Sequence, residues 1–94
     1  EESIGAYAVA LVNQTRMDGR LRLGVSPRGT LMLFRAAQAA AFMAGRRHVL
    51  PDDVQRMAVP VLAHRLILTS KSKYAGVTKA GVIEDALNEV RVPA

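Results

Sequence analysis

Residues 26–45 most constrain what this chain can fold into. Ser26-Pro27 opens the stretch and Gly45 closes it. Between them lie Leu31, Phe34 and Phe42, with Ala36, Ala37, Ala39, Ala40, Ala41 and Ala44. Ser before Pro marks a helix start. The hydroxyl can accept a hydrogen bond from an orphan first-turn N–H, and proline brings its φ already set. Glycine just past the run suits the left-handed residue that ends many helices. The pattern predicts one helix from Ser26 to about Ala44, roughly 27–30 Å long. Its many small residues let neighbours approach on more than one face, so it is the expected central helix.

Arg28 conflicts with that start. A cation in the first turn faces the positive end of the helix macrodipole, an unfavourable effect of about 0.3–1 kcal/mol. An anion bound there would resolve the conflict, because free N–H groups and the guanidinium could grip it together. The plain alternative is a solvated surface arginine.

Other helices follow from apolar spacing. Ile4, Tyr7, Ala8, Leu11, Val12 and Thr15 recur at helical intervals, which predicts a first amphipathic helix over 2–16. Asp18-Gly19 ends it in a turn. Arg20-Leu21-Arg22-Leu23 reads as an extended connector that tucks in two leucines. A third helix begins at Pro51, with Asp52 and Asp53 in its first turn, where carboxylates suit the dipole. Leu50 stands at its N-cap and cannot cap, and Pro60 should bend it. Leu66-Ile67-Leu68 is either a last helical turn or a short extended piece. Residues 69–77 read as an exposed basic loop. Thr78 can cap a fourth helix carrying Val82, Ile83, Ala86, Leu87 and Val90, and Pro93 marks its end. The expected fold class is all-α, a four-helix bundle around one core.

Composition narrows the function. The 94 residues make one small domain, and only four are aromatic, which suits packed helices better than a β-sandwich. Thirteen Lys and Arg against eight Asp and Glu give +5, but the cations are dispersed, so there is no basic tail. Without cysteine there are no disulfides, thiol nucleophiles or Cys-based zinc sites, which fits a cytosolic protein. No apolar run approaches 18 residues, so no membrane span is expected. The chain opens on Glu1-Glu2 rather than a basic leader and lacks an initiating Met. It is expected to be a piece of something longer.

Signals for catalysis are poor. The chain has no GxxxxGK[ST] phosphate loop, HExxH or GxSxG. Asp52-Asp53 reads as dipole complementation rather than acid–base or metal chemistry, and the isolated His48 and His64 as structural or surface groups. Arg46-Arg47 and Lys71-Ser72-Lys73 read as solvated cations, so nucleic acid is an unlikely partner.

The segment Leu21-Arg22-Leu23-Gly24-Val25-Ser26-Pro27-Arg28-Gly29 resembles the sensor-2 motif of the MoxR branch of AAA+ ATPases, a G-x-S-P-R core opening a helix. The resemblance continues through Ala36-Ala37 to Gly45-Arg46, then Val49-Leu50-Pro51-Asp52-Asp53-Val54 and Val61-Leu62-Ala63-His64-Arg65-Leu66-Ile67-Leu68. It covers about Tyr7 to Leu68 and, more loosely, the final helix, and departs at Leu50, where the family usually has Thr or a similar cap. The resemblance implies that residues 1–94 are the C-terminal helical lid of an AAA+ module. Its α/β core, with phosphate loop, Mg²⁺ site and catalytic Glu, would lie outside this chain. Arg28, set at the helix start by Ser26 and Pro27, would contact the terminal phosphates of ATP and take part in its hydrolysis. The fragment alone would bind ATP weakly and not hydrolyse it. The family also implies a cytoplasmic homo-hexameric ring, chaperone-like remodelling and partners carrying von Willebrand A domains. Two other readings of the residues stand beside this: a basic helical DNA-binding module, and a protein adaptor docking through the 69–77 loop.

Overall fold

The computed structural model describes residues 2–93. The elements follow the order α1 (Glu2–Arg16), β1 (Leu21–Leu23), α2 (Pro27–Met43), α3 (Pro51–Leu62), β2 (Ile67–Leu68), α4 (Ser70–Tyr74) and α5 (Lys79–Glu89), with a 3₁₀ turn at Ala63–Arg65. The four expected helices are α1, α2, α3 and α5. Among the described residues no helix is long and apolar enough to cross a membrane.

One core joins them. Ile4, Tyr7, Ala8, Leu11 and Val12 of α1 meet Leu33 and Ala37 of α2, Val54, Ala58 and Leu62 of α3, and Val82 and Ile83 of α5. Each fully buried large aliphatic side chain contributes about 1.5–3 kcal/mol. α2 packs chiefly on α3, and its buried residues, Gly29, Leu33, Ala37 and Ala41, are spaced four apart. Three of these four are small, so the axes can approach closely.

The connector over 20–23 acquires strand character by pairing. β1 runs antiparallel to β2, with Leu21 opposite Leu68 and Leu23 opposite Ile67. The Leu66–Leu68 segment is therefore extended after the 3₁₀ turn, not a further helical turn.

Residues 69–77 differ from the expected loop. Thr69 Oγ1 accepts the Ser72 N–H at 3.1 Å and starts the one-turn α4. The turn ends at Gly76, whose φ of 84° is left-handed, with Val77 N–H on the Ser72 carbonyl and Gly76 N–H on that of Lys73. Spacing could not reveal it, because a five-residue helix has no apolar stripe.

Gly24 sits where the chain crosses the end of α1. A Cβ there would stand 2.8 Å from Arg16 Cα and 2.9 Å from the Thr15 carbonyl oxygen. Both are backbone atoms and cannot swing aside. Gly24→Ala is expected to cost about 2 kcal/mol, read as a lower urea midpoint at unchanged slope. An unchanged midpoint would contradict this packing.

Candidate functional site

The site grows from the end of α1. Thr15 is buried, and its Oγ1 donates to the Val12 carbonyl at 2.7 Å. The same oxygen accepts the Val25 N–H at 3.3 Å, which pins the loop ahead of α2. Val25 is buried beneath the first turn of α2, where a Cβ on Gly29 would collide with Val25 Cγ1. Gly24 and Gly29 thus let the loop lie down on both helices. Between them Ser26, Pro27 and Arg28 are lifted into solvent, and all three are exposed.

Ser26 occupies the N-cap with extended backbone (φ −72°, ψ 164°) and Pro27 the first helical position, as expected. The expected hydroxyl cap is not formed. The Gly29 N–H that it would take goes instead to Ser26's own carbonyl at 2.8 Å. Thr69 and Thr78 do cap their helices, which makes the start of α2 the exception among these three. The first turn of α2 holds no acidic residue either. Its positive dipole end is met only by a further cation, Arg28.

Nearby cations divide into paired and unpaired. Arg20 is held by both oxygens of Asp18, at 2.7 and 3.0 Å, and by Asp85 at 2.9 Å. The Arg20 guanidinium keeps the Asp18 carboxyl below its ordinary range. Arg16, Arg22 and Arg28 have no carboxylate partner among the described residues. Arg16 and Arg22 line a cleft of about 350 Å³ beneath Gly24, Ser26 and Pro27. On the other side of Pro27, an apolar cleft of about 380 Å³ runs between α1 and α2, lined by Val9, Leu31 and Phe34 among others. The helix start is therefore basic on one side and apolar on the other.

The far end of α2 carries an ion pair that composition did not reveal. Gly45 is left-handed (φ 82°); its N–H bonds the Phe42 carbonyl and the Arg46 N–H bonds that of Ala41, both at 2.9 Å. This end turns Arg46 toward α3. Its guanidinium forks onto Asp53, both contacts at 2.7 Å, and the carboxylate is fully buried. Asp53 also accepts the Leu50 N–H at 2.8 Å, so the residue that cannot cap is served by the carboxylate three positions on. Arg46 holds the Asp53 carboxyl down to about 2 against the opposing effect of burial. Asp53 is thus a buried clamp as well as a dipole partner, and Arg46 is not a free solvated cation. His48 and His64 are exposed and apart from any gathering of three metal-ligating side chains among the described residues.

A model of the AAA lid domain matches residues 13–86, which include the whole Thr15–Gly29 loop and the Arg46–Asp53 clamp. The chain belongs to the AAA lid domain family. The lid is 39% identical over 93 residues to the uncharacterised protein YeaC of Bacillus subtilis, covering 99% of the lid and 29% of that protein. It is 53% identical over 49 residues to Protein MoxR of Paracoccus denitrificans, covering 52% and 14%. Against Chaperone MoxR1 of Mycobacterium tuberculosis it is 33% identical over 96 residues, covering 93% and 26%. In three dimensions the lid matches part of a crystal structure of a candidate ATPase from Cytophaga hutchinsonii. The TM-score is 0.93 at 31% identity, over 100% of the lid and 31% of that chain. The lid therefore spans less than a third of the length of these relatives, and it is a lid of the MoxR type.

Proposed function

We propose that this lid serves an AAA+ ATPase as its nucleotide sensor, with Arg28 as the sensing group. The observation that carries the reading is the start of α2: no side-chain cap, no acidic residue in the first turn and an exposed arginine with no carboxylate partner among the described residues. This arrangement suits a phosphate. Arg28 is always charged, its planar fork matches phosphate oxygens, and the positive end of the helix dipole favours an anion. Arg16 and Arg22 add positive potential across the neighbouring cleft.

ATP with Mg²⁺ would supply the phosphoryl group and the charge to be neutralised, bound on an α/β core outside this chain. Arg28 would hold the terminal phosphates, and Ser26 and Pro27 would set its position at the helix start. Arg28 sits on the first turn of a 17-residue helix locked to the core by Leu33, Ala37 and Ala41. The α3 end of that helix is clamped through Arg46 and Asp53. Engagement or release of Arg28 would therefore move the lid as one body, with α2, about 25 Å long, as the lever.

The finer reading extends to the whole protein: a cytoplasmic homo-hexamer that hydrolyses ATP to remodel partners, von Willebrand A domain proteins among them. The name Chaperone MoxR1 of the mycobacterial relative supports the remodelling part. The test is Arg28→Ala in a protein carrying both core and lid, read as ATP affinity and turnover. Unchanged values for both would remove Arg28 from the site.

A further inference from the structure

Arg65 holds out a guanidinium edge with no anion on it. Two other arginines show what such an edge takes in this molecule. Arg20 sets Nε and Nη2 on the two oxygens of Asp18, at 3.0 and 2.7 Å. Arg46 sets Nη1 and Nη2 on those of Asp53, both at 2.7 Å. Arg65, the last residue of the 3₁₀ turn, presents the same Nε–Nη2 edge as Arg20. Its Nη2 meets the Met32 Sδ at 2.8 Å, and its Nε is buried with no acceptor among the described residues. It has no carboxylate partner among them either. A thioether is a weak acceptor, and a buried donor left without one is costly.

That edge lies beside the start of α2. Met32 follows Arg28 by one turn, so their Cβ atoms are about 5–6 Å apart on one face. This end of α2 rests on the end of α3: a Cβ on Gly29 would stand 3.7 Å from Leu62 Cδ2. The 3₁₀ turn follows Leu62 directly and carries Arg65 to Met32. Met32 is 38% exposed and unbranched, so it can swing off the edge. Arg28 and Arg65 thus come to one side chain, which is unfavourable until an anion joins them. Neither α2 nor the 3₁₀ turn contains an acidic residue that could serve.

We propose that Arg65 is a second phosphate-binding arginine, which takes the terminal phosphate of ATP on its Nε–Nη2 edge once Met32 moves aside. The proposal rests on the reading of Arg28 as the group that meets that phosphate, and it adds a residue and a displaceable plug to the site. The edge presents two parallel donors, the geometry that grips two oxygens of one phosphate. Without nucleotide the Met32 thioether masks it. With nucleotide, the phosphate ties the turn after α3 as well as the first turn of α2, so its loss frees both together.

The test measures affinities for a non-hydrolysable ATP analogue and for ADP in a protein carrying both core and lid. Arg65→Gln is expected to weaken the ATP analogue about tenfold and ADP by about threefold at most. Met32→Glu should do the same, because it sets a carboxylate on the edge, and it should melt no lower than the parent. This second variant keeps Arg65, so it separates a filled edge from a damaged fold. Equal weakening for both nucleotides, the result if a carboxylate of the core takes the edge, would overturn the proposal. So would an unchanged affinity in either variant, or a lower melting point for Met32→Glu. Arg28→Ala is measured alongside. If it alone leaves the ATP analogue unaffected, the reading of Arg28 falls and Arg65 binds the phosphate without it. If it alone weakens the analogue, Arg65 leaves the site and Arg28 stays.

Discussion

Replacing Arg46 with methionine is expected to destabilise the lid by about 3 kcal/mol, the low end of what breaking a buried ion pair costs. The cost arises at Asp53. That carboxylate is fully buried and holds two guanidinium contacts at 2.7 Å. Methionine replaces the packing of the arginine stem but not the charge, and only the Leu50 N–H remains to serve the anion. In a domain of this size the loss corresponds to a melting point lower by roughly 12–24 °C. Replacing both partners, Arg46→Met with Asp53→Leu, should recover part of the loss, since no buried charge is then left unpaired. A single variant as stable as the parent would show that the pair does not clamp α2 to α3.

The same pair gives a pH signature. Asp53 is held down to about 2, below its ordinary 3.8, chiefly by Arg46. A lowered carboxyl pKa contributes stability that is complete above the unfolded value and is lost as pH falls through the folded one. The parent should therefore lose this contribution between about pH 4 and pH 2. In Arg46→Met the buried carboxylate prefers its proton, so acid relieves the strain. The stability gap between variant and parent should be widest near neutral pH and shrink below about pH 4. A gap constant across that range would count against the assignment.

The second large effect is functional. Arg28→Ala, in a protein that joins the lid to its nucleotide-binding core, is expected to weaken ATP binding or turnover about 10- to 100-fold. Hydrogen bonds to a charged group contribute about 1.5–3 kcal/mol, and 1.4 kcal/mol is tenfold. The folded state should hardly notice the change, because Arg28 is exposed and unpaired among the described residues. Equal melting curves with unequal nucleotide affinity would separate a sensing role from a structural one. Arg28→Lys should recover only part of the effect, because a point charge cannot reproduce the bidentate fork.

Much of the fold was legible because the four main helices carry their own signals. Ile4, Tyr7, Ala8, Leu11 and Val12 mark α1, Ser26-Pro27 and Gly45 bracket α2, Pro51 opens α3 and Thr78 caps α5. Arg28 stood out as a candidate because it breaks a local rule. The missing Ser26 cap was not, because the choice between hydroxyl and carbonyl for the Gly29 N–H depends on how the loop lies on Val25 and Thr15. The pairing of β1 with β2 was equally hidden: strands of three and two residues have no periodicity, and their partner lies more than forty positions away.

Sequence by itself determined the four main helices, their order, the family likeness and the cation Arg28 at the positive end of the α2 dipole, because these depend on neighbours a few positions apart. Tertiary structure decided which cations are free. Arg20 and Arg46 look like any other arginine in the chain, yet one is spent on Asp18 and Asp85 and the other on a buried Asp53. It also decided that α2 buries Gly29, Leu33, Ala37 and Ala41 and leaves Leu31, Met32, Phe42 and Met43 exposed. Both outcomes depend on which helix face meets the core and on charges brought together across turns, and short-range spacing carries neither.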